Sequence, residues 1–298
     1  MFIICFYKCS VKNRFLRITI LAFSLFKVIF SAEAQQKQGK VWATSSSRIG
    51  LTDRETIDYT NMRFFYAFNA ESLSDIDSYI DLGVLQIGDR LSKYSSAFLA
   101  HSDSLLVEWH KKHPNAQAWP KYIELRGRMG GFWSEYQYSE LFVDGTKLTE
   151  WALMPRFQEK ECARYSEPYP LMKWTLGKEI MEICGHKCQK ATCHFRGRDF
   201  IAWFAPDIPI RKGPWKFGGL PGLIMKVYDK DNLYTFECVR IEKGKYPITQ
   251  YPEKYFPIKS RVLVYKLQIK MNENWDDLSG VTMTNRKDFY EYEPLELE

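Results

Sequence analysis

From residue 133 onward the chain alternates short apolar runs with turn-forming residues at intervals of about ten, the pattern of an antiparallel meander. Residues 136–143 and 147–154 flank Asp144-Gly145, and Asp-Gly between two strand-like runs predicts a hairpin. Further turns are expected at Gly177-Lys178, Gly185-His186-Lys187, Arg196-Gly197-Arg198 and 229–232. Between them the expected strands are 171–176, 179–184, 188–195, 199–204, 223–228 and 233–242. A last strand is expected at 261–270, where Val262, Val264, Lys266, Gln268 and Lys270 alternate with Leu263, Tyr265, Leu267 and Ile269. Upstream, the aromatic-rich stretch 62–68 and the run 81–92 also suit strands. Residues 102–112 read as a helix. Ser102, Asp103 or Ser104 can cap it, Leu105, Leu106 and Trp109 share a face, and Lys111 and Lys112 precede Pro114. The expected fold is therefore mainly β (α+β): a single twisted antiparallel sheet or incomplete barrel, with a small helical insertion at 95–130.

Residues 213–224 interrupt this pattern with four glycines and two prolines. Leu220-Pro221-Gly222-Leu223 predicts a type II turn, with proline second and glycine third. Around it lie Trp203, Phe204, Trp215, Phe217, Leu220, Leu223 and Ile224, stiffened by Pro206, Pro209, Pro214 and Pro221. Such a set either buries its rings as a core plug or borders an apolar pocket for a lipid-like ligand.

Composition changes the picture at the amino end. Lys8, Lys12, Arg14 and Arg17 precede an apolar run, 18–30, and then Ala32-Glu33-Ala34, which is the layout of a secretory signal peptide. The domain reading is then a signal at 1–34, a loose leader at 35–58 and one domain at 59–298. The signal holds five of the 42 basic side chains and one of the 36 acidic ones, which leaves a net charge of +2 on the remainder. So small an excess makes no electrostatic case for nucleic acid. No transmembrane segment is expected in the exported chain, since Lys27 breaks the one long apolar run and that run is short of ~20 residues.

Five cysteines follow the expected cleavage point: Cys162, Cys184, Cys188, Cys193 and Cys238. A three-residue loop at 185–187 would set Cys184 opposite Cys188, close enough for a disulfide, the alternative being two buried free thiols. Cys184, His186, Cys188, Cys193 and His194 contain enough ligands for zinc, but Cys193 and His194 would point to opposite faces of a strand. No metal and no cofactor are expected. The chain has no G-x-S-x-G, no H-E-x-x-H and no phosphate-loop lysine, and no catalytic residue is assigned.

The hexapeptide Gly219-Leu220-Pro221-Gly222-Leu223-Ile224 resembles the naming motif of the GLPGLI family. The similarity extends to Leu85-Gln86-Ile87-Gly88, Ser92-Lys93-Tyr94-Ser95, residues 188–192, Gly197-Arg198 and residues 202–209. It implies a secreted or periplasmic protein of gram-negative bacteria with no established catalytic residues. Cys184 and Cys193 fall outside the family pattern. In architecture the expected sheet resembles the incomplete barrel of periplasmic lipoprotein carriers, which shield acyl chains in an apolar concavity.

The function expected is a non-enzymatic, exported cell-envelope protein that binds a hydrophobic ligand or lipidated partner in a curved sheet. The alternative is an accessory module that recognises an envelope protein through a strand edge or the proline loop. A thiol- or metal-dependent hydrolase using Cys188 or His194 ranks third.

Overall fold

The computed structural model describes residues 54–115, 139–154, 158–251, 255–273 and 295–298. The expected signal at 1–34, nearly all of the leader and much of the helical insertion lie outside the described residues. Twelve strands form one open sheet: β1 (Glu55–Phe68), β2 (Asp81–Gly88), β3 (Leu91–Ser96), β4 (Ser139–Asp144), β5 (Lys147–Ala152), β6 (Ala163–Pro168), β7 (Thr175–Ile183), β8 (His186–Phe195), β9 (Arg198–Ala205), β10 (Leu223–Asp229), β11 (Thr235–Gln250) and β12 (Phe256–Pro257). Their order is β12-β6-β5-β4-β3-β2-β1-β11-β10-β9-β8-β7, antiparallel throughout except for β12 on β6. The fold is mainly β, as expected, and the sheet does not close into a barrel.

Several expected boundaries move for local reasons. β1 begins at Glu55, within the stretch read as leader. The run 81–92 divides at Asp89-Arg90 into β2 and β3. Gly177-Lys178 is not a turn but part of β7, which absorbs the irregularity as a register shift between Leu176 and Ile180. Helix α1 (Ala97–Lys112) starts ahead of the expected caps, because Ser96 Oγ accepts the Leu99 amide at 3.0 Å and donates to Asp81 Oδ1 at 2.7 Å. Burial pushes the Asp81 carboxyl up to about 7, against the hydrogen bond from Ser96.

The expected last strand is a helix, α2 (Arg261–Glu273). Apolar residues stand at both odd and even positions there, so alternation could not discriminate. The buried side chains are Val264, Tyr265 and Gln268, at a spacing of one and four residues that only a helix brings to one face. They pack on Ala152, Cys162, Ala163 and Tyr165 of the sheet's β5–β6 end.

Alternation along β1 sends Phe64, Tyr66 and Phe68 to one face and Phe65 and Ala67 to the other, and both sets are buried. The first face carries the main core, filled by the Pro/Gly segment. Side chains from both ends of the sheet converge on this plug, so the sheet curls around it. Phe217 packs against Phe200 of β9 and Phe236 of β11, with centroids 4.8 and 6.2 Å apart. From the segment that links β6 to β7, Tyr169 donates to the Phe217 carbonyl at 3.0 Å and Trp174 to that of Gly218 at 2.8 Å. Tyr66 anchors the far side through the Ile224 carbonyl at 2.9 Å.

The backbone of the plug differs from the expected type II turn. The left-handed residues are Trp215 (φ 51°) and Gly219 (φ 92°), not Gly222. Gly222 is needed for close approach instead, since a Cβ there would lie 2.2 Å from the Ala205 carbonyl oxygen.

A fully buried ammonium sits at the centre. Lys216 Nζ lies 2.8 Å from Glu150 of β5 and 3.2 Å from Glu296, and donates at 2.6 Å to both Tyr165 and Tyr265. Arg196 and Arg261 also pair with Glu296, and Arg196 reaches Glu167 at 2.7 Å. Burial alone would raise the Glu296 carboxyl, but Lys216, Arg196 and Arg261 more than offset it and hold the group below its usual range.

Two stability outcomes follow from this packing. Lys216→Ala removes the cation paired with the buried Glu150 carboxylate and is expected to lower urea-denaturation stability by about 3–5 kcal/mol; a loss under about 1 kcal/mol would mean that water replaces the ammonium. Gly222→Ala is expected to destabilise by about 1–3 kcal/mol, because backbone lies in the way.

Candidate functional site

The sheet's second face holds a cavity of about 530 Å³ between the strands and α1. Two cross-strand rows build its floor. In one, Phe65 of β1 stands opposite Val84, which in turn stands opposite Ser95, with Arg240 of β11 on the other side. In the next, Arg63 stands opposite Gln86, and Gln86 opposite Lys93. Such registry follows from the two-residue period of strands, which places i and i+2 on one face. Leu82, Phe98 of α1 and Pro247 complete the apolar part, while Arg54, His101 and Ser104 lie around it.

Among the described residues, four cations line this cavity and no carboxylate does. Each is paired with a carboxylate, and Glu242 stands directly opposite Arg63 on the same face of the sheet. Arg63 Nε bonds Glu242 at 3.1 Å, and Arg240 Nε reaches the other oxygen of the same carboxylate at 3.1 Å. The Arg240 guanidinium lies 4.0 Å from the Phe65 ring centroid, and that of Arg63 lies 3.5 Å from the Tyr246 centroid. Arg54 pairs with Asp103 at 3.1 Å and with Glu140 at 3.4 Å, and stacks on Tyr251. Lys93 is almost fully buried, 2.5 Å from Glu140, and donates to the Thr249 carbonyl at 2.6 Å. Burial lowers the Lys93 ammonium to about 8 although Glu140 works the other way, and Arg54 adds to the depression. Arg240 is the exposed member of the set, its side chain 52% accessible.

The residues singled out from sequence lie elsewhere. Trp203, Phe204, Trp215, Phe217, Leu220, Leu223 and Ile224 are all buried in the main core, and none lines this cavity. Of the two readings offered for them, their placement is that of the plug. No motif marks the cationic cavity in sequence. Its residues come from separate strands and a helix, and the available signal was the polar residues interleaved in β1, β2 and β3: Arg63, Gln86 and Lys93.

The cysteine expectation needs correction. The β7–β8 connection is the two-residue turn Cys184-Gly185, both left-handed at φ 48° and 79°, and not a three-residue loop. Cys188 consequently stands opposite Met181, and the cross-strand argument for a Cys184–Cys188 disulfide fails. Cys193 is buried while His194 is exposed beside Asp199, on opposite faces as alternation requires. Among the described residues no group of His, Cys, Asp and Glu is arranged to hold a metal ion. No helix among them is long and apolar enough to cross a membrane.

Comparison with known proteins bears on the plug. Residues 196–226 match a family described as "Protein of unknown function (Porph_ging)". That stretch contains Arg196, Lys216 and the whole Pro/Gly segment. No curated protein is matched by the chain. Among solved structures the chain is similar to PNGF-II, seen in a P21 and a C2 crystal form, with TM-scores of 0.44 and 0.43 at 12% identity. The likeness covers 72% of this chain in both cases, and 34% and 33% of the PNGF-II chains. The chain thus spans about a third of the length of the structures it matches.

The Lys93 environment has a measurable consequence. A lysine whose folded pKa is about 8 releases its proton earlier in the folded than in the unfolded chain, where it titrates near 10.5. The unfolded state therefore binds more protons between these values, and this group makes stability rise with pH across that window. Lys93→Met is expected to flatten that part of the stability curve, as urea denaturation at a series of pH values would show.

Proposed function

We propose that the protein is a non-enzymatic binder of an amphipathic anion, with an apolar body on the Phe65, Val84 and Phe98 floor and an acidic head among Arg54, Arg63, Lys93 and Arg240. The observation that carries this reading is the cavity lining, which joins apolar side chains to four cations without a carboxylate. A volume of about 530 Å³ is in the range of small-molecule sites. The reading keeps a ligand in a curved sheet and moves it from the filled face to the open one. An acyl chain ending in carboxylate, sulfate or phosphate meets these requirements, and so does the acylated end of a lipidated partner. Export by the 1–34 signal, to the periplasm, the outer membrane or beyond, belongs to the same proposal.

Native mass spectrometry of detergent-free protein is expected to retain an acidic lipid-like mass. A fluorescent alkyl sulfonate is expected to bind, and Arg240→Ala to weaken it about tenfold, the scale of one charge-assisted hydrogen bond. Equal affinity for a neutral-headed probe of the same chain, or no change on substituting Arg240, would remove the reading.

A second reading has its own observation. β7 is an edge strand with Leu176, Ile180 and Met181 exposed, and an unpaired edge of this type can accept a partner's strand. It concerns the edge alone, since Trp215 and Phe217 are buried and the proline loop offers its rings to no partner. Recovery of an envelope protein by wild type but not by Ile180→Lys would favour it.

A further inference from the structure

The β7–β8 turn does more than reverse the chain. It carries Cys184 back over the sheet to β11, three places along from β8 in the strand order. There Cys184 Sγ donates to the carbonyl oxygen of Cys238 at 3.0 Å, while Cys238 Sγ faces the Arg240 carbonyl at 3.8 Å. We propose that Cys184 and Cys238 form an intramolecular disulfide that staples the curled end of the sheet, with Cys184 as the thiol that first meets a disulfide-bearing oxidant. The inference is independent of any ligand in the cationic cavity.

The two positions suit the two roles. Cys184 is exposed at a hairpin tip next to Gly185, where the space is open and the side chain is free to reorient. Cys238 is buried within β11 and reachable through its neighbour. The hydrogen bond from Cys238 draws the Cys184 thiol down to about 7, so a large share is thiolate at neutral pH. Holding the shared proton, together with burial, pushes Cys238 up. Cys188 and Cys193 are raised by burial to about 12, which leaves them poor nucleophiles. Cys188 instead donates to the carbonyl of His186 in its own strand at 3.4 Å.

The chemistry balances as two exchanges. Cys184 thiolate attacks one sulfur of a small-molecule or protein disulfide, forms a mixed disulfide and expels one thiolate. Cys238 then loses its proton and attacks the Cys184 sulfur, and the second thiolate leaves. The two protein thiols are oxidised by two electrons, and the oxidant's disulfide is reduced to two thiols.

The full chain would be equilibrated with excess oxidised glutathione at mildly alkaline pH, alkylated and cut with trypsin. The expected product is a dithiothreitol-sensitive link between peptides 179–187 and 231–240, separate from the peptide 188–190 that holds Cys188. Melting temperature should be higher for oxidised than reduced protein in wild type and in Cys188→Ser, with no difference in Cys184→Ser. Since Cys184 is exposed, its loss leaves folding intact, as circular dichroism would verify. A link from Cys184 to Cys188, a glutathione adduct on Cys184 beside a free Cys238, or no loss of thiols at either position would each overturn the proposal.

Discussion

One buried ammonium organises the molecule. Lys216 projects from the Pro/Gly segment into the space where the β5–β6 end of the sheet, α2 and residues 295–298 meet, and it is satisfied by a side chain from each. An ion pair out of water adds little net stability over an apolar packing of the same volume, but it tolerates few alternatives, since any misplacement leaves a charge uncompensated. The network therefore acts mainly on position. Phe217 next to it is directed to the β9–β11 side while Lys216 is fixed to the β5–β6 side, so consecutive residues of one segment bridge strands far apart in the sheet. The curl of the sheet follows from that bridge.

With its concave side filled, the sheet has the opposite face left for a ligand. The central strands, buried on one side and half-covered on the other, carry two kinds of row: apolar on the plug side, and mixed on the side of α1. Asp81 and Ser96 then matter for the cavity although they do not touch its cations, because the Asp81–Ser96–Leu99 chain of hydrogen bonds seats the first turn of α1 over Val84 and Leu82. The cations in turn are held in place by ion pairs with Asp103, Glu140 and Glu242.

Sequence made the meander legible wherever turn chemistry was explicit. Hairpins form at both places, with Gly145 and Gly197 at positive φ: Arg196-Gly197 is the second turn, while the first is Gly145-Thr146, since Asp144 still pairs with Lys147. It failed where the deciding force was tertiary. Residues 261–270 carry apolar side chains at both parities, and only the waiting surface of Cys162 and Tyr165 selects the helix. Gly222 looked like a turn residue, yet the neighbour that demands a glycine is the Ala205 carbonyl from a strand outside the motif. Cys184 could be read only against its sequence neighbour Cys188, because Cys238 reaches it through a fold in the sheet. The aromatic set was recognisable as important, but whether rings fill or line a space depends on the partners that Tyr66, Tyr169 and Trp174 supply. The cationic cavity left the faintest trace: Arg63, Gln86 and Lys93 look like ordinary alternation until the register aligns them.

The carboxylate at Glu296 is 80 residues from Lys216 and 100 from Arg196 along the chain. Such separations place the central charge balance among the long-range contacts of the fold, each of which carries the entropy of closing a long loop. During vectorial synthesis, a chain that has emerged only as far as α2 has two arginines and a lysine facing Glu150 and Glu167 alone. Its interior would carry an excess positive charge, an obstacle to compaction that vanishes once residues 295–298 arrive. A chain cut short of residue 296 would therefore leave Lys216, Arg196 and Arg261 without the carboxylate they share.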